Sequence, residues 1–121
     1  MENKNEVLRL SFAFAVRIVR LCDYLKKEKS EYTLSRQLLR AGTSIGANVT
    51  EAQDAQSKKD FISKMSIALK EAKETRYWIA LLIETDYLPR DYKGIKSLRR
   101  ELDSIIRLLS SIILSAKKVL S

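Results

Sequence analysis

With 121 residues, 45% of them hydrophobic and 31% charged, the chain has the length and composition of one folded domain and not of a disordered segment. It holds no histidine, a single cysteine and a net charge of +8, which excludes imidazole general-base chemistry, histidine metal ligation and an intrachain disulfide. Three Gly and one Pro leave little material for turns, and abundant Leu, Ala, Lys, Glu and Arg favour helix.

The first helix is expected over about residues 5–27. Leu8, Ser11, Ala15, Ile18, Cys22 and Leu25 recur at alternating steps of three and four, one face of a helix. Cys22 reads as a small buried side chain within that face. Thr33 is the expected N-cap of a second helix over about 34–56, with Leu34, Leu38, Ala41, Ile45 and Ala52 inward. Ser57, with Asp60 three residues on, opens a third helix over about 58–87. Its inward positions are Phe61, Met65, Ala68, Ala72, Thr75, Ile79 and Leu82. Pro89 ends it. Asp91 is the expected cap of a fourth helix over about 91–119, with Ile95, Leu98, Leu102, Ile105, Leu109, Ile112, Ala116 and Val119 inward. Four long helices on short loops make an antiparallel up-down-up-down bundle, a single all-α domain.

The apolar faces are wider than one bundle needs. On the first helix the sector spans roughly 240°, against somewhat more than about 100° for an ordinary surface helix. Phe12 and Phe14 on the first helix, and Ile62, Ile67, Trp78 and Leu81 on the third, fall outside the inward stripes. They are the candidate interface of a homo-oligomer, because exposed patches of that kind are avoided in monomers. The plainer alternative is that four long helices bury more than a surface-helix rule expects.

Gly42 and Gly46 interrupt the second helix, where each glycine costs about 1 kcal/mol against alanine. One reading is close approach of a neighbouring helix backbone to this side-chain-free face. A phosphate cradle and a break in the helix are the others, though no Gly-Lys-Ser/Thr follows. Glu51 with Asp54, and Glu71 with Glu74, have the one-turn spacing of carboxylate metal sites, but such sites use Glu-x-x-His. Glu51 and Glu71 would also stand roughly 13 Å apart along the bundle. No metal, no cofactor and no enzymatic reaction are expected, and polar contacts at the bundle or subunit seams are the simpler role for these acids.

The positive charge gathers at the two ends of the chain. Arg9, Arg17, Arg20 and Lys27 lie opposite the inward face of the first helix, and Lys93, Lys96, Arg100 and Arg107 opposite that of the fourth. Such a field attracts polyanions, RNA or DNA, through phosphates and not through a base-reading motif. The bland reading is a solvated face that keeps an oligomer dissolved. An acidic membrane surface is the third reading, disfavoured because the apolar faces are needed for packing. The longest purely apolar run, residues 77–83, is far shorter than the roughly 20 residues of a membrane span. Arg17 and Arg20 break the apolar stretch near the N-terminus, which reads as no signal peptide and a cytoplasmic protein.

Residues Ala41-Gly42-Thr43-Ser44-Ile45-Gly46-Ala47-Asn48, then Glu51-Ala52, Ser57 with Asp60-Phe61, and Ile67-Ala68-Leu69-Lys70-Glu71-Ala72 leading to Glu74-Thr75 and Tyr77-Trp78, resemble a bacterial family. That family is the 23S rRNA intervening-sequence proteins. Val49-Thr50 stands where its members usually have Ile-Ala. The resemblance implies a four-helix bundle assembling into a pentameric ring. It also extends to the accessory variability determinant proteins of diversity-generating retroelements, basic pentamers that bind nucleic acid and a reverse transcriptase. It thereby implies a non-enzymatic nucleic-acid accessory protein, with an oligomeric scaffold for a protein partner as the alternative.

Overall fold

Four helices form where the apolar periodicity puts them: α1 over Glu2–Lys29, α2 over Thr33–Ala52, α3 over Lys58–Glu84 and α4 over Ile95–Leu120. The computed structural model describes residues 2–120, and the side chains of residues 5–119. The chain is all-α, with no strand among the described residues. α1 packs on α2 and α4, and α3 packs on the same two, so that α1 and α3 stand diagonally opposite, as do α2 and α4. No described helix is long and apolar enough to cross a membrane.

The helix ends differ from the sequence expectation for local reasons. α1 runs two residues further, then Ser30 turns into the left-handed region (φ 52°) and the Glu31 N–H reaches back to the Leu25 carbonyl at 3.0 Å. α2 ends at Ala52, four residues early, because its last N–H groups tighten onto carbonyls three residues back, Asp54 to Glu51 at 3.1 Å and Ala55 to Ala52 at 3.2 Å. α3 stops at Glu84: the Thr85 hydroxyl donates to the Leu81 carbonyl at 2.7 Å, and Asp86 adopts φ 66°. Leu88 then folds back, its N–H on the Leu82 carbonyl and its side chain fully buried. α4 begins at Ile95, because two turns fill the segment before it, Tyr92 N–H to Pro89 at 3.0 Å and Ile95 N–H to Tyr92 at 3.1 Å. Asp91 is therefore not its cap. The Gly94 carbonyl takes the Leu98 N–H at 2.9 Å and opens the helix.

Ser57 caps α3 as its position suggests. It is extended (φ −152°, ψ 165°), and its Oγ accepts the Asp60 N–H at 3.0 Å. Thr33 does not cap α2; it is the first helical residue, and Tyr32 before it offers no side-chain bond. Glu31 takes over the role. Its Oε1 accepts from the Leu34 N–H at 2.9 Å and its Oε2 from the Ser35 N–H at 2.7 Å, while the Ser35 hydroxyl donates to the Glu31 carbonyl at 2.8 Å. The carboxylate is buried as it does so. Glu31→Ala is expected to remove two charge-assisted bonds and lower stability by about 2 kcal/mol. Thr33→Ala is expected to stay within about 0.5 kcal/mol of the parent. Thermal melts of the two variants read this directly, and equal losses would reject the assignment of the cap to Glu31.

The core face of α1 is rotated from the expected stripe. Val7, Phe14 and Leu21 are buried with Ser11, Ile18, Cys22 and Leu25, while Leu8 and Ala15 are only half-buried. The cause lies in α2. A Cβ placed on Gly42 would lie 2.8 Å from the Ile18 Cγ2, and one on Gly46 would lie 3.3 Å from the Ser11 carbonyl oxygen. At these two levels α2 contributes no side chain of its own, so the Ile18 side chain packs directly on its backbone at Gly42 and the backbone of Ser11 comes close to it at Gly46. Seating Ile18 and Ser11 on the bare face of α2 sets how α1 is rotated about its axis, and Val7, Phe14 and Leu21 turn into the core. Phe14, fully buried, belongs to this core and not to an oligomer interface. α2 runs through Gly42 without a break, and Gly42 is buried, which leaves no phosphate cradle there. At the far end of α4, Val119 is 73% exposed and outside the core.

Cys22 sits inside the α1–α2 contact with its Sγ donating to the Ser35 carbonyl at 3.3 Å. Burial pushes its thiol up to about 12, so it is a packing residue and not a nucleophile.

Candidate nucleic-acid interface

The basic residues sort by what holds them. Lys96, Arg100 and Arg107 are exposed on α4 at spacings of four and seven. This puts them along one outer edge, roughly 17 Å from the first Cα to the last. Among the described residues Lys96 and Arg100 have no ion-pair partner, and Arg107 donates only to the Ser104 hydroxyl at 3.3 Å. On α1, Arg9 pairs with Glu6 at 2.9 Å and Lys27 with Asp23 at 3.1 Å. Both are exposed same-helix pairs of about 0.3–0.5 kcal/mol, easily given up to a phosphate.

Arg17 differs from the expectation. It turns inward to the α1–α4 contact, where Nη1 pairs with the Glu101 carboxylate. Its Nη2 donates to the Gly94 carbonyl and to the Ser97 hydroxyl, each at 2.9 Å. It is a strut that fixes the loop before α4, and its charge is already answered. Gly94 has φ 87°, a conformation side chains resist, and a Cβ there would lie 3.0 Å from the same guanidinium nitrogen. With the loop so held, Arg20 of α1 and Lys93 of the loop line one open cleft of about 170 Å³, together with Tyr92, Leu21 and Leu98. Lys93 thus comes from a loop, not from the face of α4. The Tyr92 ring packs against Tyr24 at 4.7 Å between centroids, tilted by 50°. The aromatic pair escaped the sequence reading because Tyr92 fell inside an assumed helix.

The carboxylates of α2 and α3 are engaged between helices. Arg40 reaches from α2 to Glu71 at 3.3 Å and to Glu74 of α3, and Lys64 of α3 reaches Glu51 at 3.3 Å. The Arg40 guanidinium, hydrogen-bonded to Glu74, holds that carboxyl below the usual carboxylate range. Arg76 lies 3.9 Å from Asp103 across the α3–α4 contact. Glu51 and Glu71 therefore sit in separate ion pairs, and no group of three metal-binding side chains occurs among the described residues.

Of the apolar positions expected at an oligomer contact, Phe12 is 71% and Ile67 41% exposed. Ile62, Trp78 and Leu81 are half-buried. Val19 and Tyr77 are exposed as well and extend the same two helices' apolar surface. The Trp78 indole N–H is buried with no acceptor among the described residues, its ring edge-on to Tyr77 at 5.1 Å.

The family model of the 23S rRNA-intervening sequence protein matches residues 3–111. A crystal structure of a protein of unknown function from the S23 ribosomal protein family of Bacteroides thetaiotaomicron VPI-5482 is 50% identical to the chain. The match covers 92% of this chain and 97% of that one, with a TM-score of 0.87. Among curated proteins none matches.

Proposed function

The chain belongs to the 23S rRNA-intervening sequence protein family, and from that premise we propose that it is a non-enzymatic, basic homo-oligomer that binds RNA or DNA as a cytoplasmic accessory protein. The observation that carries the reading is the edge of α4, where Lys96 and Arg100 stand exposed with no carboxylate partner among the described residues and Arg107 stands in line with them. Uncompensated cations in a row along a rigid helix suit a phosphate backbone, which binds through counterion release. Arg20 and Lys93 at the neighbouring cleft add to the same field.

The proposed subunit is an antiparallel up-down-up-down bundle. The pairs Glu51–Lys64 and Arg40–Glu71 support this, since numbers fall along α3 as they rise along α2. The proposed assembly is a pentameric ring, supported by Phe12, Val19, Ile67 and Tyr77 standing exposed and by the resemblance to pentameric families. The same exposed surface favours a second reading, a ring that docks a protein partner and uses its charge only to stay dissolved.

Binding to a labelled structured RNA and to a DNA duplex across a salt series tests the first reading. Log affinity should fall linearly with log salt, and reversing Arg100 and Arg107 to Glu should lower that slope by about two. Oligomer mass should not change, because both side chains are exposed on α4. Absence of binding by the unaltered protein at low salt would reject the nucleic-acid reading and leave the scaffold.

A further inference from the structure

The cleft between α1 and the loop that precedes α4 combines three things that a solvated charged face does not require. Two of its lining cations, Arg20 and Lys93, are exposed and have no ion-pair partner among the described residues. It has a phenol ring, Tyr92, held from behind by Tyr24. Its loop is fixed in advance by three bonds from Arg17, to Glu101, the Gly94 carbonyl and Ser97. Like charges gathered at one concavity repel each other until an anion enters, so a phosphate placed here relieves that repulsion. An aromatic ring beside it supplies a surface for a planar base, and being already packed it loses little freedom when the base arrives.

We infer that this cleft receives an unpaired nucleotide of a single-stranded nucleic acid, with the phosphate between Arg20 and Lys93 and the base against Tyr92. The inference rests on the nucleic-acid reading above and narrows it. A duplex offers phosphates to the α4 edge but keeps its bases stacked and paired, so it cannot use the ring. At about 170 Å³ the cleft is smaller than the roughly 300 Å³ at which pockets for free small ligands begin. One nucleotide within a longer strand, held also by the α4 cations, fits it better than a free mononucleotide.

Fluorescence anisotropy with a labelled single strand, and with the duplex of the same sequence, tests the assignment on the full chain. The single strand should bind tighter than the duplex. Tyr92→Leu should weaken the single strand by about 10- to 100-fold and leave the duplex unchanged, with Tyr92→Phe retaining affinity. Unlabelled nucleoside monophosphate should not displace the strand at equal concentration. If Tyr92→Leu melts early, the exposed pair Arg20→Glu with Lys93→Glu decides alone, and unchanged single-strand affinity then overturns the inference. If Tyr92→Leu is folded and binds both forms as the parent does, while Arg100→Glu with Arg107→Glu weakens both, the cleft assignment fails and the phosphate-binding reading stands. No binding of either form by the parent removes both.

Discussion

Gly42→Leu should abolish the native melt or lower it by well over 10 °C, while Gly46→Ala should leave it within a few degrees of the parent. Two effects oppose each other at both positions. Replacing a helical glycine gains about 1 kcal/mol of backbone propensity for alanine and slightly less for leucine. Against this stands the contact with α1. At Gly42 even the first added carbon meets Ile18 at 2.8 and 2.9 Å, on the two branches of a stiff, fully buried side chain. Ile18 cannot swing aside, so the helices must part, and overpacking of that kind costs about 1–3 kcal/mol for small additions and more for a whole leucine. At Gly46 the nearest atom is the Ser11 carbonyl oxygen at 3.3 Å, and a shift of a few tenths of an ångström relieves it. There the propensity gain and the packing loss nearly cancel. Each kcal/mol moves the midpoint by roughly 4 °C in a domain of this size. A Gly42→Leu protein that melts like the parent would show that α2 does not rest directly on α1.

The same glycines show why the fold was so legible and where legibility stopped. Four apolar periodicities fix four helices, and the inward stripe of α3 is buried at every expected position from Phe61 to Leu82. Periodicity alone does not say how α1 is rotated about its axis, because its apolar sector is wide enough to accept several rotations. The choice falls to a contact between helices, Gly42 and Gly46 against Ile18 and Ser11, which is a tertiary fact. The starts of α2 and α4 depart from the expectation for another reason. The Glu31 carboxylate, two residues before Thr33, caps α2, and two turns, with Arg17 of α1 bonded to the Gly94 carbonyl, fill the segment before α4, contacts that the expected caps Thr33 and Asp91 do not reveal.

The basic surface was legible as composition and not as arrangement. Eight cations on two outer faces look equivalent along the sequence. In the fold Arg17 is spent on Glu101 and the loop, Arg9 and Lys27 are lightly paired, and the others have no carboxylate partner among the described residues. What separates them is the position of acids on a different helix. Arg40, which joins α2 to Glu71 and Glu74, was overlooked for the same reason. The inter-helix role expected for the acids did not identify the cation that meets them.

Phe12 and Phe14 make the sharpest pair of opposites on one helix, and their alanine variants should fail in different measurements. Phe14 is fully buried and Phe12 is 71% exposed, although the two are alike in sequence and only two residues apart. Phe14→Ala removes a ring from the bundle centre and leaves a cavity that rigid neighbours fill only in part, a loss of about 3–5 kcal/mol. That is a large share of the 5–15 kcal/mol that holds a domain of this kind together. Its melting point should fall by over 10 °C at any protein concentration. Phe12→Ala changes no core contact and should leave the stability of an isolated subunit within about 0.5 kcal/mol. Under the oligomer reading its effect is on mass: Phe12→Ala should weaken assembly, and Phe12→Lys should weaken it further by placing a charge in the contact. Light scattering at micromolar concentration separates the cases. A parent protein of monomeric mass, or a Phe12→Lys variant whose mass and concentration dependence match the parent, would remove α1 from the interface. A concentration-dependent melt for the parent that flattens in Phe12→Lys would tie the exposed ring to assembly, since association stabilises the folded subunit in proportion to its concentration.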